Sequence, residues 1–143
     1  MTEAQRSAYI ESADRFATEA VKRNPRSFAS VRLRAQVLQA RADNEGTEDR
    51  LRAAAEAWSE AVALYPTEPR TRITAGTIWS SLWWETGEAD AARQSAAHFQ
   101  RALAIDATRL PEVAVKLRPG ELQVIENHLG ELRAAGFVPE ETP

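Results

Sequence analysis

The chain has 143 residues, of which 43% are hydrophobic and 27% charged, and its formal net charge is −3. This length and composition predict one globular domain and exclude a disordered chain. The mild negative charge argues against nucleic-acid binding, and the lack of cysteine excludes disulfides and thiolate metal sites. The sequence has no run of about eighteen apolar residues, which a membrane-spanning helix would need. The polar N-terminal region does not resemble a secretory signal, so we expect a cytoplasmic protein.

Helix-forming residues dominate the chain. Alanine occurs 27 times, and no stretch shows the alternation of polar and apolar residues that is typical of a strand. In chain order, the first three predicted helices cover 3–24, 26–43 and 47–65, and the fourth begins at Pro69. The fifth and sixth cover 88–106 and 119–135. The predicted fold class is therefore all-α, with about six helices in an antiparallel array.

Apolar side chains at steps of three and four residues mark the predicted inner face of each helix. Thr47, followed by Glu48 and Asp49, is typical of an N-cap with an acidic first turn. The inner faces predicted for the first, fourth and last helices include Tyr9, Ala13, Phe16, Ala17, Ala20 and Val21; Ala75, Trp79, Leu82, Trp83 and Thr86; and Leu122, Ile125, Leu129 and Leu132, respectively.

Parts of the chain repeat at an offset of 41 positions. Pro25 and Gly46 recur as Pro66 and Gly87, in each case where a helix is expected to end. The same offset aligns small and aromatic residues of three helices. Ala13, Ala17 and Ala20 align with Ala54, Trp58 and Ala61. Trp58 and Ala61 align in turn with Phe99 and Ala102. Several aligned features at one offset indicate an internal structural repeat.

The repeated residues resemble the tetratricopeptide repeat, which is a helical hairpin. Ala54, Trp58, Ala61 and Pro66 match the alanine, aromatic, alanine and proline positions of its second helix. The period of 41 is longer than the usual ~34 residues. The resemblance implies a right-handed superhelical array of antiparallel helix hairpins in a single domain over 1–136. Its parts would be a half repeat at 3–24, repeats at 25–65 and 66–106, a connector at 107–118, a capping helix at 119–135 and a flexible tail at 137–143.

Familiar catalytic and metal-binding patterns are not found in the sequence. The histidines are His98 and His128, and neither belongs to a Glu-x-x-His pair of the kind that helical bundles use to bind metals. His98 falls off the apolar face of its helix, so we expect it to be exposed. We predict no enzymatic activity, no cofactor and no bound metal.

Two helices carry a second stripe in addition to the inner face. In proteins that this chain resembles, that side of each first helix lines a concave groove in which peptides bind. Gln and Arg can hydrogen-bond to an extended backbone, and Trp and Arg are enriched at binding hot spots. The predicted binding residues are Arg32, Gln36, Gln39 and Asp43 on the second helix and Arg70, Ile73, Thr77, Ser80 and Trp84 on the fourth.

The leading hypothesis is a non-enzymatic interaction module or scaffold that binds a protein or peptide segment, without nucleic-acid binding or membrane insertion. An alternative at one position is that Trp84 packs internally, for example against the last helix. A second hypothesis is a self-association or spacer domain that forms the soluble part of a larger bacterial protein, such as an envelope protein. The chain would act as a monomer or as a homodimer. A third hypothesis, a helical-bundle enzyme or ligand carrier, would require a bound metal or cofactor.

Overall fold

Six α-helices and no strand occur in the residues that the structure, a computed structural model, describes, namely 1–108 and 116–139. The helices are α1 (Glu3–Arg23), α2 (Phe28–Glu45), α3 (Glu48–Leu64), α4 (Pro69–Thr86), α5 (Ala89–Ala107) and α6 (Pro119–Ala134). The predicted all-α class is confirmed. Most of the predicted connector at 107–118 and residues 140–143 of the predicted tail lie outside the described residues.

Polar side chains cap the starts of several helices. At α1, Gln5 N donates to Thr2 Oγ1 at 3.1 Å, and Thr2 N donates in return to Gln5 Oε1 at 2.8 Å. At α3, Arg50 N donates to Thr47 Oγ1 at 3.3 Å, so the predicted N-cap is present. These contacts satisfy backbone N–H groups that have no partner within the helix.

Glycine ends two of the helices in the same way. Gly46 follows α2 with a φ of 60°, and Gly87 follows α4 with a φ of 72°. Both values lie in the left-handed region, which glycine adopts without the steric cost of a Cβ atom. Each glycine N–H donates at 2.7 Å to a carbonyl of the last helical turn, that of Ala42 or of Trp83. The repeat seen in the sequence therefore includes a repeated helix stop.

The chain divides into two compact units, Met1–Tyr65 and Pro66–Pro143. The single domain expected over 1–136 stays a prediction. The division falls between the two predicted full repeats. Unit 1 contains α1, α2 and α3, and the described residues of unit 2 contain α4, α5 and α6. The superhelix that the resemblance implies stays a prediction.

Unit 1 is built from consecutive helices, with α1 against α2 and α2 against α3. Small side chains dominate its interior, which allows close approach of the helices. An ion pair joins α1 to α2, because Arg41 Nη1 lies 2.7 Å from Asp14 Oδ2. The buried apolar residues of this unit are Ile10, Ala17, Val31, Ala35, Leu38, Ala42, Ala54, Ala55, Ala57, Trp58, Ala61 and Val62.

Unit 2 is a hairpin of α4 and α5 with α6 packed against both helices. Gly76 of α4 meets the fully buried ring of Phe99 on α5, and Ser95 Oγ donates to Gly76 O at 2.8 Å. A cluster of buried apolar residues here consists of Ala92, Ala96, Phe99, Ala102, Leu117, Ile125, Leu129, Leu132 and Val138. The last helix thus adds to the core of unit 2. Of its four predicted inner residues, Ile125, Leu129 and Leu132 are buried.

The first helix differs from its prediction in which residues it buries. Tyr9 and Phe16, predicted on the inner face, are 68% and 70% exposed, whereas Ile10 and Ala17 are buried. The reason is that α1 packs against α2 alone among the helices of unit 1. A single neighbouring helix covers only part of a broad apolar stripe.

The tail predicted to be flexible from residue 137 is in part packed. Val138 is buried, and the Phe137 ring meets the Trp83 ring edge-to-face at 5.8 Å between centroids. Arg133 Nε donates to the carbonyl of Pro139 at 3.3 Å. Residues 137–139 therefore belong to the packed part of unit 2.

Candidate binding surfaces

The predicted binding stripe on α2 lies mostly at the surface of unit 1. Arg32, Gln36 and Asp43 are exposed. Gln39 is half-buried, and its Oε1 accepts a hydrogen bond of 3.0 Å from Trp58 Nε1. Gln39 thus satisfies the polar edge of a buried indole, and the other three side chains form the exposed polar face of α2.

The Arg32 guanidinium lies over an aromatic ring, a contact that the sequence did not predict. The Arg32 guanidinium carbon lies 5.7 Å from the centroid of the Phe28 ring. Phe28 in turn meets Tyr65, which is 49% exposed, edge-to-face at 5.6 Å. A cation over an aromatic face is attracted by the ring quadrupole. The arrangement presents a positive group and an aromatic ring together on unit 1.

The predicted binding stripe on α4 is largely covered within unit 2. Ser80 is buried, and its Oγ lies 3.3 Å from His128 Nδ1 on α6. Ile73 is half-buried against the core cluster, and Thr77, also half-buried, donates to the Ile73 carbonyl at 2.8 Å. The sequence predicted these residues to be available to a ligand. The structure instead uses Ser80 and Ile73 in packing, because α6 lies against α4.

Arg70, the first residue of the same predicted stripe, binds the start of α6. Its Nε lies 2.9 Å from Glu121 Oε2, and its Nη2 donates to the Lys116 carbonyl at 3.3 Å. Burial alone would raise the pKa of Glu121, but a backbone hydrogen bond from Arg118 and the pairing with Arg70 lower it below the usual value. Arg70 therefore stabilises the capped start of α6.

Trp84 is the residue of the α4 stripe that remains at the surface. Its side chain is 66% exposed, and its ring is tilted by 42° against Trp83 at 5.2 Å between centroids. Trp83 itself is half-buried against the core cluster. Of the two arrangements weighed for Trp84, the structure has the exposed one.

The two histidines lie on the inside of unit 2. His98 was predicted to be exposed, but it is 8% exposed, and burial, with a smaller contribution from the charge of Arg72, lowers its pKa to about 4. His128 is half-buried and stacks on Phe99 at 4.9 Å with the two planes 13° apart. The prediction for His98 was wrong because α5 is buried over a wider arc than its apolar residues indicate. In residues 1–108 and 116–139, no three acidic or histidine side chains group as metal ligands would.

An apolar depression on unit 1 was not predicted either. It has a volume of about 420 Å³ and lies between α1 and α2, lined by Tyr9, Ser12, Ala13, Phe16, Leu33 and Val37. The signal was present in the sequence, because the apolar residues of the first helix span two adjacent faces. One face contains Ile10 and Ala17, which are buried, and the other contains the exposed rings.

Comparisons of this chain with protein-family models, with curated proteins and with solved structures found no match. Across the described ranges, none of the helices has both the length and the apolar character needed to span a bilayer.

Proposed function

We propose that the protein is a non-enzymatic helical-repeat module, similar to tetratricopeptide repeats, that binds a segment of another protein. The observation that carries this proposal is Trp84, an indole that is 66% exposed at the end of a well-packed helix. An aromatic side chain of this size covers about 150–250 Å². Burying the exposed part against a partner would contribute roughly 2–4 kcal/mol, which is the size of a binding hot spot.

The exposed polar face of α2 supports the same function. Arg32 and Gln36 can donate hydrogen bonds to backbone carbonyls of an extended segment, and Asp43 can accept them from N–H groups. The stacking of Arg32 on Phe28 keeps its guanidinium in one region and so reduces the entropy lost on binding. We treat the α2 face on unit 1 and Trp84 on unit 2 as two separate contacts with the partner.

The test is retention of proteins from a lysate of the source cell by the immobilised full chain. Trp84→Ala and the double variant Arg32→Ala/Gln36→Ala should each lose a protein that the original chain retains. Val124→Ala is the matched control, since Val124 is also an exposed apolar residue, 42% exposed on α6, but lies outside both contacts. All variants must first show unchanged helicity by circular dichroism. Equal retention by every variant would refute both contacts.

A second candidate function is self-association, alone or as part of a larger bacterial protein such as an envelope protein. The exposed rings of Tyr9 and Phe16 on α1 specifically favour it. A partner-binding module would fit a cytoplasmic location. A self-association domain of a larger envelope protein would fit an exported one. Light scattering of the purified chain over a range of concentrations separates a monomeric binding module from an associating one.

A further inference from the structure

One side of α1 is apolar and exposed, and we call it the outer face. It contains the Tyr9 ring, 68% exposed, and the Phe16 ring, 70% exposed, with the small residues Ser12 and Ala13 between them. The space between the two rings is the depression of about 420 Å³ that α2 also lines. Two exposed rings around an apolar hollow are more than the scattered single hydrophobic residues of an ordinary surface.

The internal repeat indicates that a helix is the kind of element that covers this face. At offsets of 41 and 82 residues, Phe16 corresponds to Ala57 and His98, and both of these are buried. Ala54 and Ser95, which correspond to Ala13, are fully buried. Within unit 2, Ser95 donates to the backbone of α4, so a neighbouring helix covers the corresponding part of α5.

We propose that the covering element is α1 of a second copy of the chain, packed antiparallel across a two-fold axis that passes between Ser12 and Ala13. In this register Tyr9 of each copy meets Phe16 of the other, because the two rings are equally distant in sequence from the axis. The small residues lie where the helices cross, so the backbones can approach closely. A two-fold interface makes each of these contacts twice.

Charge favours the antiparallel arrangement over the parallel one. The first turn of α1 carries Glu3, and its last turn carries Lys22 and Arg23. Antiparallel packing places the acidic end of each helix beside the basic end of the other, and it also opposes the two helix dipoles. Between the two rings, the outer face has no charged side chain, so burying this part of the helix removes no charge from water.

The area involved indicates a reversible dimer. The exposed parts of the two rings amount to roughly 280 Å² per copy, or roughly 550 Å² for the pair, before the smaller residues are added. Stable interfaces bury about 1,200–2,000 Å² in total. The dimer should therefore form at micromolar or higher concentrations and dissociate on dilution.

The mass of the full chain is measured by light scattering from about 10 to about 500 µM, a range that spans the affinities of small interfaces. The original chain should shift from monomer towards dimer, and the double variant Tyr9→Arg/Phe16→Arg should weaken dimerisation at least roughly tenfold. Leu64→Arg, at a residue 37% exposed on α3, is the matched control and should dimerise normally. A wild-type monomer at every concentration overturns the proposal and assigns the outer face to a different partner. A dimer that the double variant leaves intact also overturns it.

Cross-linking tests the register, because the natural chain has no cysteine. Ser12→Cys places two thiols close to the axis, where the Cα atoms can reach the 4.4–6.8 Å that a disulfide requires. Under mild oxidation this variant should form covalent dimers. Glu11→Cys is the control, since the exposed Glu11 lies on the opposite side of α1. Equal cross-linking of the two variants would overturn the proposed register. The inference rests on the second candidate function, self-association, and specifies its interface. It is independent of the partner binding proposed first, which involves neither ring.

Discussion

Replacement of Gly76 by alanine tests the packing that holds α4 against α5. A Cβ atom at Gly76 would lie 3.0 Å from Cε2 and Cζ of Phe99 and 3.1 Å from Cε1. Carbon atoms in favourable contact are about 3.5–4.0 Å apart, so the ring would have to retreat by about half an ångström. Phe99 is fully buried and stacks on His128, so it has little room to do so.

Two opposing effects set the size of the change in stability. Overpacking a filled core costs about 1–3 kcal/mol, whereas replacing glycine by alanine inside a helix contributes about 1 kcal/mol of stability. We expect Gly76→Ala to lower the free energy of unfolding of unit 2 by about 1 kcal/mol, since the crowding effect exceeds the helix preference. The same change at Gly130, an exposed position of α6 with nothing within 4 Å of the added atom, should raise it by about 0.5–1 kcal/mol.

The assay is urea denaturation followed by tryptophan fluorescence, since three of the four tryptophans lie in unit 2. The two alanine variants should differ by about 2 kcal/mol in free energy of unfolding. In a Phe99→Leu background, Gly76→Ala should lose most of its cost, because the shorter side chain leaves room for the Cβ atom. If Gly76→Ala stabilised the protein as much as Gly130→Ala does, the close contact between α4 and Phe99 would be refuted.

Three further predictions concern pH, a buried carboxylate and the exposed indole. Because burial and the charge of Arg72 lower the pKa of His98 from 6.5 to about 4, the unfolded chain takes up a proton that the folded one does not. Stability should therefore fall as the pH drops below about 6.5, by about 2 kcal/mol at pH 5, and urea titrations of the wild type and His98→Gln would show whether this residue is the cause. Asp106→Ala should cost about 1–3 kcal/mol in the same assay, because the buried carboxylate accepts a 2.7 Å hydrogen bond from Leu117 N, and Asp106→Asn, which keeps an acceptor, should cost less. Trp84→Phe should remove most of the fluorescence that acrylamide quenches readily; unchanged quenching would contradict the 66% exposure of this side chain.

The positions of the helices could be predicted from the sequence because their signals are local. The all-α class follows from helix-forming residues and apolar spacing, and each described helix begins within two residues of its predicted start. Thr47 caps α3 as expected, and Gly46 and Gly87 end their helices through the left-handed conformation. Each of these features depends on residues within about one helical turn of one another.

The candidate binding residues could be predicted only in part. Arg32, Gln36 and Asp43 on α2 are exposed, and so is Trp84 on α4. Ser80 is buried beside a histidine of α6, a helix that lies far along the chain from α4. Helical spacing shows which residues share a stripe, but it does not show whether a distant helix will cover that stripe.

The sequence by itself determined the helices, their ends, the 41-residue repeat and the apolar stripe of each helix, because these depend on neighbours along the chain. Only the tertiary structure decided which part of each stripe is covered. It left Tyr9 and Phe16 at the surface while burying Ile10, and it enclosed His98. Burial is a property of the number and placement of neighbouring elements, and these are set by contacts between residues that are far apart in sequence.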